Sequence, residues 1–146
     1  MSTERVRHFQ EELERLKARL LEMGGLAEEQ VRLAVQGLVA GDRAGIERVL
    51  TGDQPVNALH IEIDQRCFTL LALYQPMAVD LRAIVSAVKI NTDLERVGDL
   101  AINIAEAALR YTVHPPVKRL IDIPKMATIA PSVISRRSWT GSSSAC

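Results

Sequence analysis

The 146-residue chain is long enough to bury one hydrophobic core without disulfides or a structural metal. Apolar residues make up 47% of it, nearly all Leu, Ala, Val and Ile, while aromatics make up 3%, a mixture that favours helix packing over a β-sandwich. Lys plus Arg and Asp plus Glu stand at 18 each, which excludes a global field of either sign that would draw in nucleic acid or an anionic membrane.

From Phe9 the apolar positions run Phe9, Leu13, Leu16, Leu20, Met23, Ala27, Val31, Ala34 and Leu38, in alternating steps of four and three. This heptad seam predicts one long helix from Glu4 to about Ala40, with Gly24-Gly25 as a bend or a close contact. Gly41-Asp42 ends it, and Asp42 caps a short helix over Arg43 to Leu50. Thr51 to Pro55 breaks the chain, and Pro55 suits the first turn of the next helix because its missing N–H would be unpaired there. That helix carries the seam Val56, Leu59, Ile63, Cys67, Leu70 and Tyr74, and Gln75-Pro76 stops it. Asp80 then lies in the first turn of a helix running to about Tyr111.

The fold class is therefore all-α: an antiparallel, up-and-down three-helix bundle over residues 4–112, its second element interrupted near Pro55. Residues 113–146 are expected to be an irregular tail, since Pro115-Pro116 closes the helical part and no acidic residue follows Asp122. No stretch reaches the roughly 20 apolar residues that span a bilayer, and no apolar signal core follows the charged N-terminus, so a cytoplasmic location is expected. The cysteines, Cys67 and Cys146, are too few and too far apart for a zinc site or a disulfide framework, and Cys67 reads as a small core group.

Chemistry concentrates in the last long helix, at Thr92-Asp93-Leu94-Glu95-Arg96-Val97-Gly98-Asp99. At about 100° per residue, Glu95 and Asp99 lie one turn apart on one stripe, which Asn103 and Glu106 continue. They fall on a four-three seam of Leu81, Val85, Val88, Thr92, Glu95, Asp99 and Ile102, so polar groups are expected to interrupt a packing stripe. Two like charges at that spacing need compensation. Either a hard or borderline cation held by oxygen ligands supplies it, or surface ion pairs from Arg96 to Asp99 and Lys89 to Asp93 do. A second stripe of Ile84, Ala87, Leu94, Gly98, Ala101, Ala105 and Ala108 has side chains small enough for a close backbone and reads as bundle core. His8, His60 and His114 lack the Glu-x-x-His spacing of di-iron bundles and read as surface or boundary residues. With no phosphate loop and no Ser/His/Asp arrangement, the residues make no case for an enzyme.

Read in order, Asn57 to Asp64, Leu70 to Pro76, Ala78 to Ile84 and Asp93 to Ala105 resemble the PhoU family of bacterial phosphate-transport regulators. The resemblance implies a tandem fold of two three-helix bundles, each with an E(D)-x-x-x-D metal motif, which Glu95 and Asp99 match here. Asp93 and Asn103 join them as further candidate ligands, with iron, zinc, manganese or magnesium as the ion. It also implies a homodimeric negative regulator of phosphate uptake and the starvation response. Such a regulator works by contact with the ATP-binding subunit of the phosphate transporter and with a sensor histidine kinase, and meets the membrane only through them. From about Ala127 the Ser-rich, acid-free sequence departs from the family and reads as an out-of-frame or cloning-derived ending, after the start of a second repeat near Pro124-Lys125-Met126. A different reading is a non-catalytic helical scaffold that self-assembles and holds no metal.

Overall fold

A computed structural model describes the backbone of residues 3–137, with side chains through 130 and at 132. Five helices follow one another: α1 (Thr3–Ala40), α2 (Arg43–Thr51), α3 (Gln54–Tyr74), α4 (Ala78–Tyr111) and α5 (Asp122–Arg137). The α1 seam is buried from Phe9 through Ala34, and Gly24 and Gly25 leave the helix unbroken. Gly24 is buried facing Leu94 on α4, but a Cβ there would meet the Leu94 methyl groups only at 4.0 Å and one at Gly25 would meet nothing within 4 Å, so neither glycine is a close contact.

Chain direction follows from the ends. Phe9 packs on Tyr74 with ring centroids 5.2 Å apart, which puts the start of α1 beside the end of α3 and makes the two antiparallel. The α3–α4 turn is short, so α4 reverses again and runs alongside α1. At 1.5 Å per residue, α1 with 38 residues and α4 with 34 are each about 50–60 Å long, whereas α3 with 21 spans only about 30 Å. The α3 face covers the first half of the long pair, burying Leu16, Met23, Ile63, Cys67 and Ile84 together. Over the second half α2 takes its place, with Ile46 and Val49 against Ala34, Ala105 and Ala108. The interrupted second element is thus α2 plus α3, and among the described residues there is no strand.

Local chemistry sets the breaks. Asp42 Oδ1 accepts from the Gly45 N–H at 3.1 Å and caps α2. Gln75 ends α3 in the left-handed region, φ 47° and ψ 55°, a conformation that costs a residue with a Cβ about 1–2 kcal/mol. Gln75→Gly is therefore expected to raise the unfolding free energy by roughly 1 kcal/mol in urea titration, and a loss of stability would contradict this account of the cap.

Two expectations need correction. The tail is not irregular throughout, because α5 runs from Asp122 to Arg137, with Ile123 and Ala127 packed on Val31, Val35 and Ala101. A ready apolar groove between α1 and α4 supplied the energy that the acid-free sequence did not advertise. The Ser-rich stretch of the tail, residues 138–146, lies outside the described residues. On α4, the stripe facing the core is Ile84, Ala87, Leu94, Gly98, Ala101, Ala105 and Ala108, while Leu81 and Val85 are exposed. Small side chains let α1 approach closely, so this stripe won the interior and the one bearing Glu95 and Asp99 turned to its edge.

Candidate metal centre

Two polar stripes meet where α3 runs beside α4. On α4 they are Asn91, Glu95 and Asp99, each one turn after the last. From the head of α3 come Asp53, Asn57, His60 and Asp64, repeating the four-three-four step of the apolar seam one position away. Fully buried Asn91 joins the two helices, its Nδ2 donating to the His60 carbonyl at 3.0 Å and to Asp64 Oδ1 at 3.1 Å. Asn57 Nδ2 donates to Asp53 Oδ2 at 2.7 Å, which aims the Asp53 carboxylate along the seam.

Four polar atoms in this region are buried without a partner: Gln30 Oε1, Asp53 Oδ1, His60 Nδ1 and Asn91 Oδ1. Such groups cost roughly 1–3 kcal/mol each when nothing satisfies them, so their collection in one seam asks for an explanation. Glu95 is half-buried, and burial is the first cause that pushes its carboxyl above the ordinary glutamate range. The charge of Asp99, and its approach to hydrogen-bonding range, push the same way. His60 pulls it back, and the charge of Asp53 adds to the rise.

The surface ion pairs expected to absorb this charge form elsewhere. Arg96 lies 3.9 Å from Asp93 rather than at Asp99, and among the described residues neither Glu95 nor Asp99 has an ion-pair partner. Asp93, two residues or about 200° around the helix from Glu95, is not brought to the pair, and Asn103 is exposed. The structure thus unites Glu95 with Asp99 and adds Asp53 and His60, which the sequence reading had not assigned to the site. Their signal was the polar four-three-four run from Asp53 to Asp64, legible once that stripe is read as deliberately as the apolar one.

Set against a metal, the donors suit a borderline divalent ion in kind but not in placement: carboxylates from two helices, an unpartnered buried oxygen of Asp53 and an unpartnered imidazole nitrogen. They line the seam rather than close around a point. Among the described residues no three His, Cys, Asp or Glu side chains converge closely enough to hold an ion.

The raised Glu95 carboxyl has a sign that can be checked. A folded-state pKa above the unfolded one means that the native protein binds the proton better, so this group opposes folding above its titration range and the penalty fades on acidification. Glu62 behaves oppositely. Its carboxyl is held low, first by the hydrogen bond from Arg66, and the stability it adds above the ordinary glutamate range is lost as pH falls. Asp99→Asn should move Glu95 only partway back, because burial, the larger cause, remains. Carboxyl-carbon NMR titration reads this, and an unmoved Glu95 midpoint would contradict the coupling.

Comparison with known proteins matches residues 20–108 to the PhoU domain. The chain is similar to the phosphate-specific transport system accessory protein PhoU homolog of Aquifex aeolicus, 38% identical over 124 residues, covering 85% of this chain and 56% of that protein. To the homolog of Caulobacter vibrioides it is 42% identical over 120 residues, covering 82% and 52%. To the accessory protein PhoU of Serratia marcescens it is 35% identical over 118 residues, covering 81% and 49%. The chain spans about half the length of the curated relatives it matches.

Proposed function

The chain belongs to the PhoU family, and on that premise we propose that it is a regulatory accessory of phosphate transport that works by protein contact and performs no chemistry of its own. The relatives' names describe an accessory of a phosphate-specific transport system, which is the source of the assignment. Among the described residues no helix is long and apolar enough to cross a membrane. The ATP-binding subunit and a phosphate-sensing histidine kinase are the partners proposed, with repression of uptake and of the starvation response under plentiful phosphate as the outcome. The α3–α4 corner suits a contact role, since Leu73, Met77 and Val79 are all exposed there. A homodimer is proposed for the same reason, and sedimentation at two concentrations checks it.

The observation that carries a metal in this reading is the unpaired Glu95–Asp99 ridge beside the orphaned Asp53 oxygen. A bound cation would supply charge neutralisation there, drawing α3 and α4 together, with Glu95 and Asp99 as principal ligands. Asp93 and Asn103 would take at most an outer share, given where they point. Elemental analysis of protein purified without chelator should find iron, zinc, manganese or magnesium that the Glu95→Ala, Asp99→Ala double variant lacks. Equal metal in both would remove these ligands from the proposal.

One observation favours the rival reading of a metal-free helical scaffold: among the described residues no three candidate ligands converge. Both readings are non-catalytic, and they part on phosphate. Capture of the transporter ATPase and the kinase by the protein from cells grown with high phosphate, weaker with low phosphate, supports the regulator. No phosphate-dependent capture, together with the absence of metal, supports the scaffold.

A further inference from the structure

Where α1 and α4 both finish, the bundle carries an open groove of about 740 Å³. Half-buried Leu38, Tyr111 and Leu120 and the more exposed Val39 give it an apolar lining. Its exposed polar members are Lys118, Arg119 and His114, and among the described residues no carboxylate lines it. The sequence from Ala107 to Ile121 holds Arg110, Lys118 and Arg119 but no acidic residue, which makes a local positive field in a chain whose charges otherwise balance. Asp42, next to the lining residue Gly41, is committed elsewhere: its Oδ1 accepts from the Gly45 N–H at 3.1 Å and its Oδ2 lies 4.0 Å from Arg48.

Cations beyond a helix end commonly serve its last carbonyls, but α4 is closed without them. The Thr112 N–H donates to the Ala108 carbonyl at 2.9 Å, Thr112 Oγ1 to that of Leu109 at 3.0 Å, and the His114 N–H to that of Tyr111 at 3.2 Å. Among the described residues neither Lys118 nor Arg119 has a hydrogen-bond or ion-pair partner. The groove is far larger than a single anion, and its apolar lining gains nothing from one, whereas aliphatic side chains set between carboxylates use both of its features.

We infer that this groove is a docking site for an acidic peptide segment of a protein partner, which sets its carboxylates on Lys118 and Arg119 and its aliphatic side chains on Leu38, Val39 and Leu120. The inference rests on the reading that the protein works by contact, and it adds a second contact surface at the opposite end of the long helices from Leu73, Met77 and Val79.

Fluorescence anisotropy of the full chain with a fluorescein-labelled peptide alternating Glu and Leu tests it, with a peptide alternating Gln and Leu as the uncharged control. The acidic peptide should bind, and bind less as salt is raised, while the control should not bind. Lys118→Glu with Arg119→Glu should weaken binding about tenfold or more, since each exposed pair contributes a few-fold and reversal turns attraction into repulsion. Exchanging the two cations, Lys118→Arg with Arg119→Lys, should retain it. Val39→Glu, at a position already 47% exposed, should weaken it without disturbing the fold. Equal binding of the two peptides, or acidic-peptide affinity unchanged in both the charge-reversed and the Val39→Glu proteins, overturns the inference. Displacement by inorganic phosphate at matched ionic strength would assign the cations to a free anion, and a concentration-dependent dimer lost on charge reversal would put a second copy in the groove; either overturns it. Peptide binding that follows these rules, without capture of the transporter ATPase or the kinase, keeps the groove and removes the regulatory reading. Capture by a wild type that binds no acidic peptide removes the groove alone.

Discussion

Leu16→Ala is expected to lower the unfolding free energy by about 2–5 kcal/mol, a large share of the roughly 5–15 kcal/mol that holds a domain of this size together. Leu16 is 1% exposed on α1, in the cluster where α1, α3 and α4 bury Ile63, Cys67 and Ile84 together. Truncation removes the transfer energy of three carbons and leaves a cavity among side chains fixed on three separate helices, which limits collapse. The same enclosure pushes the Cys67 thiol up to about 11, burial leading and the Asp64 charge adding to it. Urea denaturation should show a lower midpoint with an unchanged slope, since the exposed area differs little. A loss below about 1 kcal/mol would mean that the three helices do not meet at Leu16 as described.

Gly37→Val should be costly for the opposite reason, overfilling. At the end of α1 the Gly37 Cα rests on α2, and a Cβ there would lie 2.7 Å from Ile46 Cγ1 and 3.4 Å from both Asp42 O and Ile46 N. Ile46 is fully buried, and Asp42 N donates to the Gly37 carbonyl at 3.0 Å, so neither side has room to retreat. An overpacked core costs about 1–3 kcal/mol, of which helix propensity returns a few tenths. The test that separates this from a backbone effect is a double-mutant cycle with Ile46→Ala, which opens the space the valine needs. The two changes should couple favourably by about 0.5–3 kcal/mol, and additivity within about 0.5 kcal/mol would refute the contact.

The second expectation bears on the candidate site, because Gly37 packs on α2, the short helix that leads into the Gly52–Asp53 break. Loosening α2 moves the corner from which Asp53 issues. Reduced metal affinity in Gly37→Val, alongside its lower stability, would show that the seam depends on that corner as well as on α4.

Helix positions, caps and breaks were readable from the chain alone, since they depend on neighbours within a few residues. Asp42 as a cap, Pro55 in a first turn, Gln75-Pro76 as a stop, and the seams of α1 and α3 all stand where the spacing put them. The pairing of Glu95 with Asp99 belongs to the same class, being one turn of a helix. What spacing left open was α4, where two stripes share the same period and either could have faced inward. Only the approach of α1, allowed by Gly98, Ala101, Ala105 and Ala108, selected one. Asp53 and His60 reached the site by tertiary contact from chain positions 35 or more residues before Glu95, a separation that periodicity cannot bridge. Faces come from the local repeat of the helix, whereas the choice of which face is buried, and of which side chains meet across it, depends on how closely whole helices can pack.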